Sequence, residues 1–140
     1  YYMGELLPSD DEITVRLIGL LTQKHKDLYP LYIHCFNQIC LDSDAALSEI
    51  MGSYCLQTIM NYTNETFSYF KTDSLLLNNY ASHIGYELYF KERGTSDLKT
   101  NYKDFRLYLE NNLDLENTTT KSTFDRFFIK VDKTMKYMAE

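Results

Sequence analysis

Apolar residues return every three or four positions along almost the whole chain, the period of an amphipathic helix rather than the alternation of a strand. The first stripe is Ile13, Leu17, Leu20 and Leu21, with charged residues opposite. Ser9 and Glu12 precede it as a capping box, in which hydroxyl and carboxylate each satisfy a helix-end amide. This predicts a helix over about 10–25. A second segment opens at Asp27 and carries Pro30 in its first turn, where the missing N–H costs nothing. Leu28, Leu31, Tyr32, Cys35 and Ile39 line one face, and Tyr29, Ile33, Phe36 and Cys40 lie around the rest. A helix apolar nearly all round is expected at the centre of a fold.

Asp42, Ser43 and Asp44 offer caps for a third helix, which carries Leu47, Ile50, Met51, Tyr54, Cys55 and Ile59. Gly52 in its middle costs about 1 kcal/mol relative to Ala, which points to a close helix contact or a kink. Asn61 to Lys71 is rich in Asn, Thr and Ser, whose side chains compete for backbone hydrogen bonds, and reads as a broken helix or a packed loop. The next helix spans about 74–93. Leu77, Tyr80, Ala81, Ile84 and Leu88 share its face, Lys91 and Arg93 suit its C-terminal dipole, and Gly94 stops it. Asn101 caps a short helix with Tyr102, Phe105, Tyr108 and Leu109. Ser122 and Asp125 resemble a capping box for the last, which bears Phe124, Phe127, Phe128, Val131, Met135 and Met138. The expected architecture is all-α: a compact single-domain bundle of six or seven helices over residues 1–140, around a buried central hairpin.

Charge and composition narrow the function classes. A net charge of −6 argues against non-specific nucleic-acid binding and against docking on anionic membranes, both of which need a basic footprint. The Lys130, Lys133 and Lys136 face reads as a solvated stripe. No apolar run approaches the length of a membrane span. The three cysteines, Cys35, Cys40 and Cys55, are too few and too odd in number for a disulfide framework; they read as reduced, mostly buried thiols in a cytoplasmic protein. Positions five apart on a helix diverge, so Cys35 and Cys40 do not share a metal ion, and no glycine-rich phosphate loop occurs. His25 and His83 read as helix-flank residues. No enzyme, cofactor or metal is expected. Sequons at Asn61, Asn64 and Asn117 leave a secreted helical-bundle ligand as an alternative, and the start at Tyr1 leaves a scaffold domain cut from a larger assembly as another.

Thirteen tyrosines and eight phenylalanines, with no tryptophan, are the remaining lead. Tyr is at home half in and half out of a core, and is enriched at interfaces. Phe67, Tyr69 and Phe70, in the ambiguous segment, are the expected exposed anchors for a partner.

Phe36-Asn37-Gln38-Ile39, then Leu41-Asp42-Ser43-Asp44-Ala45 and Gly52, resemble the corresponding run of the poxvirus Bcl-2-like family. Leu75 to Gly94 is similar to that family's central buried helix with its closing glycine. This chain has one more residue between Phe36 and Ala45 and lacks the tryptophan that many members carry after the central helix. The resemblance implies a viral, non-enzymatic inhibitor of host innate immune signalling or apoptosis, acting in the host cytoplasm. Its partner would be a helical peptide or a signalling adaptor, and some members form homodimers. It also implies a groove near Leu47, Met51 and Tyr54 on the third helix and Ile84 and Leu88 on the central one.

Overall fold

The computed structural model describes residues 12–25, 27–43 and 45–140. Ser9, Asp44 and Tyr1, which figure in the sequence reading, lie outside them. Seven helices and no strand occur among the described residues: α1 Glu12–Leu21, α2 Tyr29–Asp42, α3 Ala45–Asn61, α4 Thr63–Thr72, α5 Ser74–Glu92, α6 Tyr102–Asn112 and α7 Thr118–Ala139.

The central element is α5. It packs most extensively on α7 and α3, and also touches α2 and α4. Leu76, Leu77, Tyr80, Ala81, Ile84, Gly85 and Leu88 are all buried along it. Asp73 caps it, its carboxylate accepting from the Leu76 amide at 3.0 Å. Gly94 ends it in the left-handed region at φ 72°, which glycine adopts without a Cβ clash. Two close approaches fix it from the two sides. A Cβ at Gly52 of α3 would lie 2.6 Å from both the His83 carbonyl and Glu87 Cβ, and one at Gly85 would lie 2.9 Å from the Val131 carbonyl and Thr134 Cβ of α7. The close-contact reading of Gly52 is therefore the right one.

The expectation that α2 is central fails. It lies on the flank, packed on α1, α3 and α5, and buries Ile33, Phe36, Asn37, Ile39 and Cys40 while Leu28 and Leu31 stay exposed. The inward stripe runs through Asn37, a polar residue that conceals it in the sequence. Asn37 is admitted because the Tyr80 hydroxyl donates to its Oδ1 at 2.7 Å. The same thing happens in α1. Thr14, Ile18 and Leu21 turn inward, whereas Ile13 and Leu20 of the predicted stripe face out.

The ambiguous segment is the broken helix of the two alternatives: α3 ends at Asn61 and α4 starts at Thr63, with a turn at Tyr62 between them. Past that turn the hydroxyls bond back to the preceding turn, Thr63 Oγ1 to the Ile59 carbonyl at 2.8 Å and Ser68 Oγ to the Asn64 carbonyl at 2.9 Å, so they do not interrupt α4. The last helix begins earlier than Ser122, because Asn117 caps it by accepting from the Thr120 amide at 3.0 Å. Asn101 caps α6 as expected, accepting from the Asp104 amide at 2.8 Å.

A chain of aromatic rings forms the core. Phe36 meets Tyr80, Tyr80 meets Phe70, and Phe70 stacks on Phe127 with 5.6 Å between centroids. Phe127 continues to Phe105 and Phe128, and Phe128 to Phe124. Edge-on and offset ring pairs of this kind add to the stabilisation from burial alone.

The Tyr80–Asn37 pair can be tested. Asn37 Nδ2 has no hydrogen-bond partner among the described residues, so its Oδ1 carries the whole compensation for burial. Tyr80→Phe should destabilise the fold by about 1–3 kcal/mol in chemical denaturation, the penalty for orphaning a buried polar group. The double variant Asn37→Leu/Tyr80→Phe should recover most of that loss, since removing both partners leaves nothing unsatisfied.

Candidate functional site

A concavity of about 800 Å³ lies along the outer face of α3. Ile50, Ser53, Tyr54, Gln57 and Met60 are its floor, spaced as one helical face,. Val15 of α1 forms one wall and the 95–100 segment, with Leu98, the other. From Glu49 to Asn61 the floor runs roughly 18 Å at 1.5 Å per residue, the length of a three-turn helix.

Both walls are fastened to the base. Behind α1, Asn61 Nδ2 donates to the Thr22 carbonyl at 2.8 Å. The Tyr62 hydroxyl donates to the Gln23 carbonyl at 2.7 Å and accepts from the His25 amide at 2.6 Å. Opposite, the Thr95 amide and hydroxyl both donate to the Phe90 carbonyl, at 3.0 and 3.2 Å. The Ser96 hydroxyl donates to the Glu87 carboxylate and accepts from the Leu98 amide. Such ties pre-organise a groove, which lowers the ordering cost of filling it.

Ile50, Tyr54 and Met60 give the floor an apolar strip, Ser53 and Gln57 lie beside it, and charge sits on the rim. Among the described residues, Glu49, Glu87 and Asp97 stand against a single cation, Lys99. An apolar strip with an acidic edge is complementary to an amphipathic helix with basic flanks.

Of the residues proposed from sequence, Tyr54 alone lines this groove. Leu47, Met51, Ile84 and Leu88 are fully buried in the α3–α5 seam, because Gly52 brings those two helices too close to leave a cleft between them. Phe67 and Phe70 are not exposed anchors. They lie in the core against Phe127, and of the three expected anchors only Tyr69 is exposed, at 37%. Val15, Ile50, Met60 and Leu98 were missed as site residues. The signal for the floor was present, since α3 carries a second apolar stripe beside its core stripe. The wall at 95–100 carries no periodic signal.

A smaller apolar hollow of about 390 Å³ lies between α3, α5 and α7, beside Tyr86, Tyr137 and Met138. Among the described residues, no group of three or more His, Cys, Asp or Glu side chains is placed to hold a metal ion. No helix among them is long and apolar enough to cross a membrane. The sequons differ in setting: Asn61 is committed to the Thr22 carbonyl, Asn64 is exposed in the first turn of α4, and Asn117 is exposed while its Oδ1 caps α7.

No protein-family model matches the chain, and no curated protein or solved structure matches it either.

Proposed function

We propose that this chain is a non-enzymatic protein-binding module whose α3 groove receives an amphipathic helix of a partner protein. The observation that carries this reading is the groove itself: it has an apolar strip of Ile50, Tyr54 and Met60 along its floor, is acidic at its rim, and is walled by segments already hydrogen-bonded in place. The partner helix would press apolar residues three and four apart onto Ile50, Tyr54 and Met60. Lys or Arg beside that stripe would meet Glu49 and Asp97.

The finer reading, a viral Bcl-2-like inhibitor of host innate signalling or apoptosis, rests on the resemblance over 36–52 and 75–94. The position of α5 supports it, as the segment that resembles the family's central helix is the one enclosed by four others.

Calorimetric titration with a panel of helical peptides, pro-apoptotic helices and helices of signalling adaptors included, tests both levels. At least one basic amphipathic helix should bind with micromolar affinity or better. Tyr54→Ala should weaken it at least about tenfold, as loss of a central aromatic contact does. Asp97→Lys should weaken it further at low salt than at high salt. Melting curves on the same variants separate lost binding from lost folding. If no helix binds at micromolar concentration, or binding ignores both substitutions, the groove is not the site.

A further inference from the structure

Two of the cysteines face each other across the α2–α3 seam. Cys40 closes the inward stripe of α2 that begins at Ile33, and Cys55 lies on the inward stripe of α3 with Leu47, Met51 and Ile59. Their sulfurs are 3.8 Å apart, on residues separated by 15 positions, and both side chains are at most 1% exposed. A disulfide needs about 2.05 Å between sulfurs, so the two must approach by less than about 2 Å. Cys35, the third, is partly exposed and stands outside this pair.

We propose that Cys40 and Cys55 are a disulfide site, closed during folding by exchange with a small-molecule disulfide of the oxidised-glutathione class. A Cys40 thiolate attacks one sulfur of that reagent and expels the first thiolate, leaving a mixed disulfide on Cys40. Cys55, deprotonated, attacks the Cys40 sulfur and expels the second. Two protein thiols are oxidised and one reagent disulfide is reduced to two thiols, the two expelled thiolates taking up the two protons that Cys40 and Cys55 give up. The hydrogen bond with Cys55 pulls the Cys40 thiol down against its burial, with His83 of α5 adding to the effect, whereas burial and the neighbouring Cys40 push Cys55 up. The thiolate is the attacking species. Once the helices have closed over the bond, external thiols reach it only through unfolding.

The test is to refold the full chain from denaturant in a glutathione redox buffer, quench with an alkylating agent, and map the peptides by mass spectrometry. Protein made in an oxidising bacterial periplasm gives the same readout without a refolding step. The expected product links Cys40 to Cys55 and leaves Cys35 free to be alkylated. The oxidised form should melt roughly 5–10 °C above the reduced one, the gain typical of closing a loop of this length. Cys35→Ser should keep that difference, while Cys40→Ser and Cys55→Ser should each abolish it. Reduction by a small thiol should be slow in buffer and fast in denaturant. Alkylation of both Cys40 and Cys55 from either source, a link through Cys35, or a Cys40–Cys55 link that lowers the melting temperature would overturn the proposal.

Discussion

Phe70→Ala should destabilise the protein by about 3–5 kcal/mol, the usual cost of emptying a fully buried aromatic site. Phe70 touches three rings, with centroid distances of 5.3 Å to Phe67, 5.1 Å to Tyr80 and 5.6 Å to Phe127. It thereby joins α4 to both α5 and α7. A domain holding about 5–15 kcal/mol in total loses a large fraction of its stability through that one change. Thermal melts should show a drop of about 10 °C or more. Tyr69→Ala, one residue away, should stay within about 1 kcal/mol, since an exposed ring without a special role contributes little. The contrast distinguishes a core residue from a binding anchor. An anchor variant would melt like the parent and lose only its partner. If Phe70→Ala does that, the enclosed aromatic chain described here is wrong.

The reading of Phe67 and Phe70 as anchors failed for an identifiable reason. The Asn, Thr and Ser around them suggested an irregular segment, and large apolar residues in an irregular segment suggested exposure. Those hydroxyls turned inward on their own helix instead, leaving Phe67 and Phe70 free to share one buried face. The helix phases of α1 and α2 were misread for a related reason. Their true inward stripes pass through Thr14 and Asn37, and a polar residue in a stripe makes the neighbouring all-apolar stripe look better. Whether a buried amide is tolerable depends on a partner 43 positions away, Tyr80, and no local pattern contains that information. Where the inward face was apolar throughout, as in α5 and in Phe124 to Val131 of α7, periodicity named it correctly. The cap at Asn101 was also legible, being purely local. The groove was half legible: α3 showed its second stripe, while the facing wall at 95–100 depends on the Ser96–Glu87 bond and on the left-handed turn at Gly94.

Gly52→Ala should destabilise by about 2–3 kcal/mol, although helix propensity alone favours alanine by about 1 kcal/mol. The new methyl would sit 2.6 Å from a backbone carbonyl and from a Cβ, neither of which can swing aside. Ordinary contact needs about 3.5–4.0 Å, so α3 and α5 must separate by about 1 Å. Helix α5 has little room to move, because Gly85 on its other side already admits α7 with the same closeness. Gly85→Ala should therefore also destabilise, and combining the two should cost at least the sum, since each substitution removes the space into which the other would relax. Gly19→Ala is the control. Nothing lies within 4 Å of its added Cβ, so in α1 the change should stabilise by up to about 1 kcal/mol. One substitution at three helical glycines thus has opposite expected signs, read by chemical denaturation. Stabilisation by Gly52→Ala would mean that α3 and α5 are not in contact there. The same variant also bears on the groove, because Ser53 and Tyr54 follow Gly52 directly. Lifting α3 from α5 displaces the floor relative to the wall pinned by Glu87, so affinity for a bound helix should fall in step with stability.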